Sequence, residues 1–581
     1  MTASSPPSSD RTAAIADFLD QEHFRFRRRP GAEPGAVEIV LTPEWHCRLE
    51  APGTDLTTRM IGDFTRFCRE CMDVALRTEA AGPAVVWKLR PDALPAEDFS
   101  RQDPETESYE IRVEAAQVEV SARHERGLLH GTHALEWMMA DRGGPFLRPG
   151  IHARTPVFQP RISNGVFITG HQTLENPGHF SEEYLSLMSH FGVNGIHLSC
   201  RLWDVFRSTT LPELNSPGFD ERLAALRELN RRTRRFGIDL YLQLSTPPLD
   251  EGHPVFLAHP GVRGARVEIF VEEMSGRPWH NLCSGSELVL QAYGEAITAV
   301  FAAAPEVAGG IVIIGGESFY HCFTRPAGAA NGETNCPHCR GRSPSVEAAR
   351  LVNSLGAAVK KTGAHKALYA WPYSAWIWSS RDPAEREWIG ALSPDVSVLS
   401  NFDGYDEVPG TAAGVRLFDY NITCIGPSST FVRQAESCRD TGRPLFAKVE
   451  TCTTPEAFFL PYLPVHFRWL ERVRAMKKAG AAGFVGQWRF FGMNGSPPEE
   501  LQYKAAWGED GDDLLETICR RDFLLEGREV AEALAAWRLL SRAWDVFPYS
   551  AMTCGERAAY MRGPFYLGPA HPLIFDVQDS Y

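Results

Sequence analysis

The sequence has no apolar run near the roughly 18 uninterrupted residues that a membrane helix needs, so no membrane span is expected. It has no excess of positive charge either: 59 Lys and Arg stand against 73 Asp and Glu, a formal net charge of −14. Nucleic acids and anionic membrane surfaces are held through basic footprints, so neither is an expected partner. The opening residues MTASSPPSSDRTAAIADFLD contain no basic segment leading into an apolar one. No secretory signal is therefore expected, and a cytoplasmic location is the expectation. There is no Gly-rich phosphate loop, no GxGxxG after a strand and no HExxH, which leaves nucleotide-cofactor and zinc-protease chemistry without their residues. The 13 cysteines are odd in number and scattered, as thiols or metal ligands are, rather than arranged as a disulfide framework.

What is present describes a folded chain too long for one core. Its 581 residues predict two or three domains, and 44% hydrophobic residues supply the material for them. Residues 1–12 are Ser/Pro-rich and read as disordered. An α+β domain is expected over 13–155, from strand-like VEIVL (38–42), AVVWKL (84–89) and two runs between 108 and 122, followed by a helical apolar period over 126–140. HARTPVFQPR then reads as a linker. Over 156–500, eight short β-rich runs alternate with amphipathic helical stretches; they begin at residues 161, 192, 237, 309, 367, 396, 445 and 483. Parallel strands joined by helical crossovers, eight times over, predict a (β/α)8 TIM barrel. Glycines in FGV, FGI and AGA before the second, third and eighth runs read as helix ends. Residues 501–581 are expected to form a helical C-terminal region.

In such barrels the active site is built from the loops after the strands. That rule selects Glu317 after the fourth strand, Asp403, Asp406 and Glu407 after the sixth, and Glu450 after the seventh. It also selects His171 after the first strand, His197, Arg201 and Trp203 with the second, and Tyr320 beside Glu317. The fifth and eighth strands contribute Trp371, Tyr373, Trp376 and Trp378, and Trp488 and Arg489. Aromatic faces with carboxylates suit a sugar, whose CH face stacks while its hydroxyls hydrogen-bond, so a carbohydrate is the expected partner. Glycoside hydrolysis needs two carboxyl groups flanking the scissile bond. Glu317 as acid/base and Glu450 as nucleophile would give retention at a separation of about 5–5.5 Å, and a gap of about 6.5–9.5 Å would admit a water and give inversion. Asp403 is the base of that inverting alternative. Asp403, Asp406 and Glu407 also read as turn residues in NFDGYDE, where Asp and Gly serve conformation. Each tryptophan alone reads as core; their recurrence in AWPYSAWIW argues for a platform.

Two segments carry a family resemblance. SYEIRVEAAQVEVSARHERGLLHGTHALEWM resembles the zincin-like α+β domain that precedes the barrel in glycoside hydrolase family 20 hexosaminidases and family 67 α-glucuronidases, and IIGGESF is similar to the family 20 motif in which a glycine pair leads into adjacent Asp and Glu. The resemblance in layout covers residues 35–500 and implies that Glu317 is the general acid. It also marks a departure: where family 20 has the aspartate that steers the substrate's acetamido group, this chain has Gly316. An enzyme-borne nucleophile is therefore expected, and Glu450 supplies it, although a substrate-assisted hexosaminidase stays open. No cofactor is expected for catalysis.

Beyond Glu317 the chain reads HCFTRPAGAANGETNCPHCRGR, with Cys322, Cys336 and Cys339 at the spacing of a structural zinc site. The fourth ligand is open among Cys283, His321 and His338, and Cys283 would complete an all-cysteine set. Two other functions compete with a glycosidase. A metal-dependent amidohydrolase needs an HxH pair on the first strand, where VFITGHQT has one histidine; a sugar-binding barrel without activity is the non-enzymatic alternative. A homo-oligomer, through the loop-rich RGPFYLGPAHPL tail, is left open.

Overall fold

The computed structural model describes residues 26–77, 82–94, 103–163, 180–268, 278–379, 385–404, 406, 421–452, 454, 462–486 and 496–546. The expected disordered N-terminus, the C-terminal tail, His171, Glu407, Trp488 and Arg489, and the side chain of Trp376, lie outside the described residues.

The first domain is a five-stranded sheet with two helices against it. Ala84–Leu89 lies between His46–Glu50 and Gln117–Ala122, parallel to both, and Tyr109–Glu114 and Gly150–Arg154 extend the sheet antiparallel. Ala84–Leu89 begins with four consecutive buried residues, as an inner strand should, whereas Tyr109–Glu114 alternates buried and outward positions. Trp87 joins sheet to helices: its indole donates to Thr132 Oγ1 at 2.8 Å and its ring meets Phe64 edge-on at 5.3 Å. Phe64 belongs to helix Asp55–Cys71, which opens on a reciprocal Thr54–Thr57 capping box; Thr132 belongs to helix Glu125–Arg142. Gly150–Arg154 is paired along Tyr109–Val113, so the segment read as a linker contributes its first three residues to the sheet.

The second domain is a closed parallel barrel of eight strands: Arg161–Ser163, Gly195–Arg201, Asp239–Ser245, Gly309–Ile313, Ala367–Trp371, Val396–Asn401, Leu445–Val449 and Phe484–Gly486. Seven lie within the runs read from sequence, and the second, read over 192–200, extends one residue further to Arg201. Helices follow every strand, and the eighth, Pro497–Ala505, runs across residue 500. Gly192, Gly237 and Gly480 adopt φ of +80°, +71° and +74° where helices turn into strands, the left-handed backbone that glycine takes without strain. Ile162, Tyr241, Ile311, Tyr369, Leu399, Phe446 and Val485 fill the barrel as one buried cluster. The helices Asp513–Asp522 and Arg528–Ala543 complete the described chain.

Domain and barrel meet through buried charges. Arg161, the first residue of the first strand, donates to Glu107 at 2.6 Å with both side chains fully buried. Asn194 Nδ2 also donates to Glu107. Arg126 donates to Asp239 at 2.7 Å and to the Gly237 carbonyl at 2.9 Å. Burial works to raise the Glu107 pKa, but Arg161, His130 and Arg126 outweigh it and hold the carboxyl well below the usual range. These contacts lie at the strand starts, opposite the face where barrel loops build active sites.

Candidate active site

The fourth strand ends in a backbone crossing that only glycine fits. A Cβ on Gly315 would lie 1.3 Å from the Tyr373 carbonyl oxygen, and Gly316 N donates to that same oxygen at 3.1 Å. Arg325 Nε donates to the Gly316 carbonyl at 2.6 Å, and Phe319 N to the Thr246 carbonyl at 3.0 Å. The loop after strand four is thus fastened to those after strands three and five. Glu317 stands exposed on it, between buried Gly316 and buried Ser318.

Across the barrel mouth, strands six and seven place two carboxyl groups among two cations. Lys448 and Glu450 are two residues apart, on the same side of extended chain, and Lys448 Nζ reaches Glu450 Oε1 at 2.8 Å. Asp403 accepts from Asn421 N at 3.0 Å and lies 3.3 Å from Arg472. All four side chains are at most 1% exposed. Burial pushes the Asp403 carboxyl up to about 6, against Arg472, Lys448 and the Asn421 N–H, which pull it down; Glu450 pushes it further up. Beside this group, the Trp371 indole donates to Asn401 Oδ1 at 2.5 Å, and the Trp371 and Tyr373 rings lie 5.0 Å apart. This face of the barrel thus carries one carboxyl in contact with solvent and two buried ones held by cations.

Other residues expected at the mouth sit elsewhere or are already occupied. Tyr320 is a core residue, fully buried, with its hydroxyl on the Leu244 carbonyl at 3.0 Å. Trp378 is likewise core: its indole donates to the Ile314 carbonyl at 2.9 Å, and its ring packs between His321 and Trp388. Asp406 caps the sixth barrel helix, Ser429–Asp440, accepting from Ser429 N at 2.8 Å. These three expectations gave way to packing and capping. Arg201 is exposed and forms a two-point pair with Asp204 at 2.9 Å, and Trp203 is half-buried, with its indole on the Pro247 carbonyl.

Lys448 and Arg472 escaped the sequence reading. A lysine inside the otherwise apolar AKV of strand seven, two residues before Glu450, is a signal that the alternation of strand side chains makes readable. Arg472 gave no such signal, because it lies on helix His466–Lys478 among other charged residues and its partners, the carbonyls of Asn421, Cys424 and Ile425, come from a distant loop.

Cys283, Cys322, Cys336 and Cys339 converge in the loops after strands three and four, with all four sulphurs within 4.8 Å of one another. His321, engaged with the Ile314 carbonyl, and exposed His338 stand outside this set. A separate cavity of about 150 Å³ lies between the domains, lined by His130, His133, His190, Trp137 and Trp507, at the barrel's strand-start end.

No family model matches the chain, and no curated protein matches it. Solved structures do. A GH138 enzyme targeting pectin rhamnogalacturonan II aligns over 87% of this chain and 70% of its own, with a TM-score of 0.59 at 10% identity. The GH20 β-N-acetylhexosaminidase from Streptomyces coelicolor A3(2) aligns over 89% and 97%, with a TM-score of 0.49 at 14% identity. A β-N-acetylhexosaminidase from Bacteroides fragilis NCTC 9343 covers 90% and 96%, with a TM-score of 0.49 at 12% identity. The chain thus shares with the GH138 enzyme a barrel fold preceded by an α+β domain, at an identity that speaks for the fold alone.

Proposed function

We propose that the protein is a glycosidase, exo-acting and retaining, with Glu317 as acid/base and Glu450 as nucleophile, releasing a terminal sugar from a small oligosaccharide or glycoside. The observation that carries this reading is the disposition of carboxyl groups at the strand ends: an exposed Glu317 after strand four, and a Glu450 after strand seven whose carboxylate faces the buried Lys448 ammonium at 2.8 Å. A general acid must exchange protons with solvent and leaving group, which an exposed carboxyl does. A nucleophile must be ionised and held still, and a buried ion pair positions it. The shared fold with an enzyme that targets pectin rhamnogalacturonan II agrees with a carbohydrate substrate. Gly316, in place of a side chain able to steer an acetamido group, favours a sugar that needs no such group.

One observation favours a second reading. Asp403, pushed up to about 6, is poised for proton transfer near neutral pH, which suits the base of an inverting enzyme. A panel of aryl α- and β-glycosides with neutral, N-acetylated and uronic sugars, followed by NMR of the first product anomer, separates the two. Retention on a sugar without an acetamido group is expected. Inversion would assign the base to Asp403, and activity confined to N-acetyl sugars would make the substrate its own nucleophile. The Glu317→Gln variant is expected to lose at least about a hundredfold in turnover while keeping its fold, in line with the loss of a general acid. Unchanged turnover on unactivated glycosides would remove Glu317 from the mechanism.

A further inference from the structure

The four buried cysteines form a second built site, apart from the carboxyl groups. Cys283 precedes helix Glu287–Ala303, while Cys322, Cys336 and Cys339 lie in the long connection between strand four and helix Pro344–Lys361. All four are fully buried. Cys283 Sγ lies 3.6 Å from Cys336 Sγ and 3.8 Å from Cys339 Sγ. Four sulphurs placed about 2.3 Å from a central zinc at tetrahedral angles are separated by about 3.8 Å from one another, so these spacings match the edges of a zinc tetrathiolate. The sulphurs are shared out rather than paired: none of the described cysteines is in a disulfide.

The surrounding backbone is shaped to the cluster. Cys336–Cys339 turns back on itself, with Cys339 N at 3.3 Å and Arg340 N at 3.0 Å from the Cys336 carbonyl. Thr334 Oγ1 donates to the Cys322 carbonyl at 2.5 Å and accepts from Cys336 N at 3.1 Å, which fixes the third thiol against the knuckle. Ser284 Oγ accepts from Cys322 N at 3.3 Å. A Cβ on Gly285 would stand 3.0 Å from Cys339 Sγ and 3.6 Å from Cys283 Sγ, so the chain passes close against the sulphurs and a side chain there would crowd Cys339.

We infer that Cys283, Cys322, Cys336 and Cys339 bind one zinc ion that pins the loop carrying Glu317 to the start of the third barrel helix. With four protein ligands the ion has no open position for water, so its part is structural. The segment it would clamp has little regular structure of its own. Its described hydrogen bonds run partly within the segment, such as Thr324 N to the His321 carbonyl at 3.1 Å, and partly to the end of strand Arg263–Arg266, where Ala327 N and Asn335 Nδ2 donate to the Arg266 carbonyl at 2.8 and 2.9 Å. Glu317 lies five residues before Cys322, so an ordered cluster holds the solvent-facing carboxyl in register with the strand end.

The test uses the full chain purified without chelator from zinc-supplemented cells. Mass spectrometry of the metal content should give about one zinc per chain, and titration with an organomercurial should release it as about four thiols are consumed, read by a zinc-binding dye. Cys283→Ser and Cys336→Ser should each lose most of the zinc, and stripping the wild type should open a protease-sensitive site within residues 325–343 without global unfolding. Less than about a tenth of an equivalent in the wild type, a different stoichiometric metal, or full retention in folded Cys283→Ser would overturn the assignment. If both variants fail to fold, the wild-type metal content decides alone: a folded wild type, purified without chelator, that carries less than about a tenth of an equivalent of zinc refutes the site.

Discussion

Two carboxyl groups and two cations share one buried space at the barrel mouth, and their different partners give them different chemistry. Glu450 is paired by Lys448 on its own strand; Asp403 leans on Arg472, which also serves three backbone carbonyls. Because burial raises the Asp403 pKa from 3.8 to about 6, the unfolded chain releases this proton at a lower pH than the folded one. Stability attributable to Asp403 is therefore lost as pH rises from about 4 to about 6, and is constant above that. The difference in melting temperature between wild type and Asp403→Asn is expected to fall across that window and to level off beyond it. A flat difference from pH 4 to pH 7 would show that the carboxyl titrates normally. The sequence announced Glu317, Asp403 and Glu450 through their places after barrel strands. It could not tell that Tyr320 and Trp378, also in those loops, turn inward, because the direction of an aromatic side chain depends on which backbone carbonyls stand near it in space.

At the scale of elements, the eight barrel strands were legible because each is a short apolar run bounded by helical periodicity and, in three cases, by a glycine at a helix end. Strands His46–Glu50 and Gly150–Arg154 were not: both carry charged and polar residues on partly exposed faces, and their pairing is set by partners far along the chain. The same limit hid the small antiparallel sheet of Leu249–Asp250, Arg263–Arg266 and Trp279–Leu282 in the connection after strand three. The glycine pair before Glu317 reads in sequence as a motif, and in space as a steric requirement. Gly315→Ala is expected to cost at least about 3 kcal/mol, the top of the usual range for forcing an extra carbon into a packed site, because the atoms in its way are backbone, and to displace Glu317 enough to depress turnover. Thermal unfolding and steady-state rates check the two parts, and wild-type values for both would show that the Tyr373 carbonyl yields freely.

For the whole molecule, the α+β domain and the barrel are one folding problem rather than two. Glu107 sits fully buried between Arg161, Asn194 and His130, and Arg126 reaches Asp239 at the start of strand three. Removing one partner from a buried ion pair leaves the other charge without solvent or counter-ion, which costs about 3–5 kcal/mol. Glu107→Ala is expected to lower stability by that amount in a single cooperative denaturant transition reported alike by probes in both domains. Two separated transitions in the wild type would mean that the interface couples them weakly. Since the Glu107 pKa lies below its unfolded value, its contribution is present at neutral pH and is lost as pH falls through the acid range.

That charged floor also bears on how such a protein can change over time. A surface joined by apolar contact tolerates one substitution after another, whereas Arg161 and Glu107 form a lock in which neither half is harmless alone. Altering one is expected to demand altering the other, and a barrel grafted behind a foreign domain would need its Arg161 and Asp239 neutralised first.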